Sequence, residues 1–176
     1  MKNTILFVFA LIAITAAAQN KKAPTLKSIL LEQFKTTHNK QEWFVPAVQS
    51  LDGLTAEQAM WRSDTTLHSI GQLTNHIIFW DNAELVKFNG EKPAAFNGNN
   101  DETFATFDKD SWAATVKKLD ETLTGWEKAI ENADETKLQS WYAIIANINT
   151  HNAYHIGQIL YIRKLQGSWN PAKGVK

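Results

Sequence analysis

The chain has 176 residues, 44% of them apolar, with 18 Lys and Arg against 18 Asp and Glu. That balance gives no support for binding nucleic acid or another polyanion. The absence of cysteine excludes disulfides, a thiol nucleophile and thiolate metal ligands together, so any metal site must use imidazole, carboxylate and water.

The N-terminus reads as a targeting segment. Met1-Lys-Asn-Thr4 precedes an apolar run from Ile5 to Ile14 and then Ala16-Ala-Ala18, the pattern of a secretory signal peptide cleaved after Ala18. The apolar run is about half of the roughly 20 residues that a membrane-spanning helix needs, which makes an anchor the weaker reading. Residues 1–18 are therefore expected to be removed. Residues 19–176 remain as one exported domain, periplasmic or secreted, long enough to bury its own core. No cysteine is present to carry a lipid, so no membrane attachment is expected after cleavage.

The first helix is predicted from Leu26 to Leu51, where Leu26, Ile29, Leu30, Phe34, Phe44, Val48 and Leu51 keep a helical period, with an interruption at Thr37 to Gln41 and a bend or break near Pro46. Asp52-Gly53 ends it. Thr55-Ala-Glu-Gln58 is a capping box that opens a short helical turn through Trp61. The second helix runs from about Leu67 to Phe88 and stops at Asn89-Gly90. About twenty residues follow, Glu91 to Asp110, with little periodicity. Such length suggests a lid or a crossover, and Phe96, Phe104 and Phe107 argue that it is pinned down.

In the third helix Trp112, Val116, Leu119, Leu123, Trp126 and Ile130 alternate in steps of four and three, the seam of a bundle helix. It is capped by Asp110 or Ser111. The fourth spans roughly Leu138 to Leu165 and is stopped by Gly167. Four amphipathic helices without a strand signal make the predicted fold all-α, a four-helix bundle. The long second connection can return the chain parallel to the helix before it, which gives the order up, down, down, up. The shorter links make helices one and two, and three and four, antiparallel neighbours.

The chemistry gathers at histidine, of which there are five. His151 and His155 stand one turn apart and about 40° around the helix, close enough for both imidazoles to meet one ion. They share a face with Ile144, Ile148, Ile159 and Ile162, so the pair points into or beside the core. His76 shares a face with Leu73, Phe79, Trp80 and Ala83 and also points inward. His68 reads as a helix-boundary residue and His38 as a surface one. Asp81 and Glu84 are offset by about 140° and 80° from His76, so neither is an obvious general base. Gln158 and Asn147 lie on the histidine face, either to orient a ligand or as buried amides. The residues alone leave two readings, a metal site or hydrogen-bonded core histidines.

Leu54-Thr-x-Glu57, Trp61-Arg62, His68-Ser-Ile-x-x-Leu-x-x-His76 and His151-x-x-x-His155-x-Gly-Gln158 followed by Arg163 together resemble the DinB-like bundles, also described as metal-dependent hydrolases. The resemblance covers nearly all of residues 19–176. It implies an up-down-down-up bundle with a divalent metal, zinc or nickel, held by His76, His151 and His155. Three imidazoles leave a tetrahedral ion one open position, where zinc-bound water has its pKa lowered to about 7. Alternatively the open position takes a substrate thiolate, as the bacillithiol- and mycothiol-dependent transferases similar to this family imply. Export weighs against that branch. The expected partner is a small-molecule substrate, and a homodimer is left open. A non-catalytic metal- or ligand-binding bundle is the alternative, because no acid or base is assigned.

Overall fold

The computed structural model describes residues 23–65 and 67–174; the expected signal peptide lies outside them. Among the described residues there is no strand, and six α-helices carry the architecture: α1 (Leu26–His38), α2 (Ala47–Leu51), α3 (Ala56–Met60), α4 (Ile70–Phe88), α5 (Trp112–Asn132) and α6 (Glu135–Leu165). The protein is all-α, with several packed helices.

The first predicted helix divides. α1 stops at His38, capped at Asn39, and helix resumes only at α2 after Pro46. The break follows from both ends: Pro46 has no N–H to continue a helix and is itself extended, while Val45 beside it is buried outside any helix. The remaining starts are set by local chemistry. Thr55 with Gln58 and Ser69 with Gln72 form reciprocal capping boxes for α3 and α4, each satisfying two otherwise orphaned N–H groups. Asp134 caps α6, which therefore begins at Glu135, earlier than Leu138. Gly167, at φ 71°, ends the same helix in the left-handed region, where glycine carries no Cβ penalty.

The core follows the apolar stripes. Trp112, Leu119, Leu123, Trp126 and Ile130 of α5 are buried, as the periodicity requires, and Trp126 packs against Phe34 of α1 and Phe88 of α4. α1 packs on α5 and α6, and α4 packs on the same two helices. The pairs joined by the shorter links, α1 with α4 and α5 with α6, are not principal contacts, contrary to the expectation that they would be neighbours. The stripes decide, because burying large side chains such as Trp126 outweighs the small entropic preference for short connections.

The segment between α4 and α5 is pinned by its phenylalanines. Phe96 packs on Phe79 and Trp80, Phe107 on Trp112, and Phe104 on His76. Phe107 lies so close to α4 that a Cβ on Gly71 would fall 1.6 Å from its Cε1 atom. A short 3₁₀ turn, Asn100–Thr103, sits midway along the segment.

His38 is not at the surface. It is 1% exposed, with Nε2 at 2.9 Å from Asp120 Oδ1 and Nδ1 at 2.5 Å from Glu127 Oε1. The polar interruption that marked it as exposed instead turns its imidazole onto two carboxylates of α5.

Candidate metal centre

His76 comes from α4, two turns in from the Ser69 cap, and His151 and His155 from successive turns of α6. Phe88 meets Trp141 at the other end of the same interface, so α4 and α6 run antiparallel and their facing sides hold register over several turns. That register brings the three imidazoles together. Nε2 of His151 lies 3.0 Å from Nε2 of His76 and 3.1 Å from Nε2 of His155. One ligand atom from each residue falls within 4.8 Å of the others, and no carboxylate joins this group among the described residues.

The outer nitrogens decide what the inner ones can do. Thr103 donates its hydroxyl hydrogen to the Asn100 carbonyl at 2.6 Å and so faces His76 Nδ1, 2.5 Å away, as an acceptor. The Gln158 amide oxygen, which can only accept, lies 2.6 Å from His155 Nδ1. Both Nδ1 atoms therefore carry hydrogen, which leaves both Nε2 atoms as bare lone pairs in the neutral rings. A single hydrogen on His151 Nε2 can satisfy at most one of them. A cation at the focus satisfies all three, and tetrahedral zinc with bonds of about 2.0–2.1 Å would set its nitrogens about 3.3 Å apart, close to the two spacings from His151. The donor set fits a divalent ion, with outer hydrogen bonds of the kind that orient metal-bound histidines.

Electrostatics point the same way. Burial first, then the neighbouring His155 and His151 rings, push His76 down to about 3, and burial followed by His155 pushes His151 down to about 4. Burial also lowers His155, against the opposing pull of Gln158. The desolvated charged forms are disfavoured, so the rings are neutral at physiological pH, the state in which imidazole binds metal.

All three histidines line a cleft of about 870 Å³ walled by Trp80, Trp141, Ile144 and Ile148, with Asp81 and Asn147 also in its lining. Gln158 thus holds a histidine, whereas Asn147 belongs to the cleft wall. His68 is more than a boundary: its ring stacks at 3.7 Å on Phe104, whose other face stacks at 4.0 Å on His76. Trp61, His68 and Gln158 line a second recess of about 480 Å³, and Tyr154 borders both. Arg163 lies away from the cluster, where its guanidinium donates to the carbonyls of Ser50, Asp52 and Ser168 and ties α6 to the C-terminal end of α2.

Sequence reasoning missed Thr103 and Phe104, which sit in a stretch without periodicity, and Asp81, which is fully buried on α4. The aromatic content of the crossover was the available signal for Phe104; nothing local marked Thr103.

No curated protein matches the chain, and no solved structure does. The sequence model of one family matches residues 47–159, from the start of α2 to beyond the second histidine of α6. That span is more than half of the chain and includes all three clustered histidines, so the chain belongs to the DinB superfamily.

Proposed function

We propose that this is an exported, metal-dependent enzyme, a hydrolase or transferase acting on a small molecule, with a divalent ion, zinc or nickel, held by His76, His151 and His155. The observation that carries the reading is the convergence of three Nε2 atoms whose partner Nδ1 atoms are committed at Thr103 and Gln158. Once bound, such an ion supplies a Lewis acid that activates water or a thiol at an open position. The chain's own residues would hold the three rings in fixed tautomers, exclude water with Trp80, Trp141 and Phe104, and offer the cleft as the place for substrate. Export is motivated by the N-terminal pattern through Ala18.

The same reading takes the four long helices as an up-down-down-up bundle. Support comes from side-chain pairs: Phe34 with Trp126 and His38 with Asp120 have α1 and α5 running oppositely, as α4 and α6 do. Phe107, which packs on Trp112 at the start of α5, lies near Gly71, and Leu85 lies near Gly125, which has α4 and α5 running together.

Elemental analysis of protein purified without added chelator tests the site. One divalent ion per chain is expected, lost in His155→Ala while helical circular dichroism persists, because the apolar core extends well beyond the site and is unlike that of small domains that unfold without their metal. Absence of stoichiometric binding after metal reloading would end the reading. A non-catalytic metal- or ligand-binding bundle is the second reading, favoured because no carboxylate joins the cluster among the described residues. Turnover of ester, amide or thiol-transfer probes that disappears in His155→Ala decides between the two.

A further inference from the structure

Asp81 is 0% exposed and Asn152 1% exposed, and the two are joined by one hydrogen bond, from Asn152 Nδ2 to Asp81 Oδ2 at 2.7 Å. The Trp126 indole donates to the Asp81 backbone carbonyl at 2.9 Å, so α4, α5 and α6 close around this position. Two oxygens are left without a donor, Asp81 Oδ1 and Asn152 Oδ1. No cation pairs with Asp81 among the described residues; Lys87, in the lining of the same cleft, is 2.6 Å from Glu84 instead. An ionised carboxylate in this setting would be a buried charge held by one amide, and the remaining carboxylate and amide oxygens would face the interior unsatisfied.

We propose that Asp81 is a neutral carboxylic acid whose proton completes a two-bond pair with Asn152, acid O–H to amide carbonyl and amide N–H to acid carbonyl. One proton removes both orphans, since the protonated oxygen becomes the donor that the Asn152 carbonyl lacks. Burial, which pushes Asp81 up to about 8 against the pull of the Asn152 hydrogen bond, acts in the same direction. The pair spans α4 and α6 at the residue after His151 and fixes the rotation of α6 there without adding charge beside a dication. Asp81 is thus a positioning residue for His151. That role rests on the three-histidine metal reading; the protonation of Asp81 does not.

Infrared spectroscopy of the mature protein carrying carbon-13 aspartate tests the proton directly. An aspartic-acid carbonyl stretch is expected at neutral pH in the wild type and is absent in Asp81→Asn; a folded wild type without that band overturns the proposal. Zinc affinity by chelator competition tests the positioning role. Asp81→Asn, which mimics the neutral acid, should stay within about threefold of wild type, and Asp81→Leu should lose about tenfold or more, the usual effect of removing an outer partner of a ligand. A tenfold loss in Asp81→Asn would mean that charge, not the neutral pair, supports the site, and an unchanged Asp81→Leu would remove the positioning role. If Asp81→Leu does not fold, the infrared band and Asp81→Asn still decide. If no form of the protein binds zinc, the metal reading fails while the band still decides for Asp81.

Discussion

The Thr103 hydroxyl sits 2.5 Å from His76 Nδ1 while passing its own hydrogen to the Asn100 carbonyl, and so fixes which nitrogen of His76 faces the other two rings. Replacing Thr103 by Val removes that acceptor with little change in volume. Metal affinity should fall about tenfold, with Thr103→Ser restoring most of it, as read by competition with a chromophoric chelator. Equal affinities for all three proteins would show that His76 is oriented by packing alone.

The metal-free protein should be most stable near pH 6.5. His76 and His151 have folded values of about 3 and about 4, below the ordinary 6.5. Between those limits the unfolded chain binds more protons, so stability rises with pH and is lost as pH falls below 6.5. Asp81 has the opposite sign. Its folded value of about 8 exceeds the ordinary 3.8, so the folded chain binds the extra proton and stability declines as pH rises towards 8. Urea midpoints across this range should trace a dome, and Asp81→Asn should flatten its alkaline side.

His38 joins α1 to α5 through Asp120 and Glu127, and only the ring is fully enclosed. Truncating it strands Glu127 beside a new void, and a loss on the order of 3 kcal/mol is expected for His38→Ala in urea unfolding. Asp120 is more than half exposed, so water can replace part of its contact with His38 Nε2, and Asp120→Ala should cost less than His38→Ala, about 1–2 kcal/mol. Neither change should alter zinc affinity, because the clasp contributes nothing to the cluster.

Gly71 tests how tightly the crossover is held. In an open helix Gly→Ala stabilises by about 1 kcal/mol. Here the added Cβ would meet Phe107 at 1.6 Å, and that ring must leave its place on Trp112. A net loss of about 1–3 kcal/mol is expected, with faster proteolysis between α4 and α5. A more stable Gly71→Ala protein would mean that Phe107 has an equally good position elsewhere.

What could be read from the sequence was whatever repeats at short range. The steps of four and three in α5 and the one-turn spacing of His151 and His155 survive folding because a helix preserves local angles, and Trp126 and His155 are buried where the period puts them. His38 escaped because its carboxylate partners lie 82 and 89 residues away. For Asp81, the angular offset from His76 correctly kept it off the cluster. It could not show that Asp81 is fully buried and bonded to Trp126 and Asn152 from two other helices. Thr103 was invisible for a related reason: its role depends on a loop whose path is set by where its phenylalanines find room.

The His76 and His151 nitrogens that meet at 3.0 Å are 75 residues apart in the chain. The crossover and the whole of α5 lie between them in the chain, and α5 packs on α4. A chain truncated before α6 owns one of the three rings and has no basis for holding an ion. An ion that needs all three rings would then be loaded onto a finished scaffold rather than serve as a template around which the fold assembles. On the proposed three-histidine site, refolding should proceed at the same rate with and without zinc, and zinc uptake should follow the last folding phase.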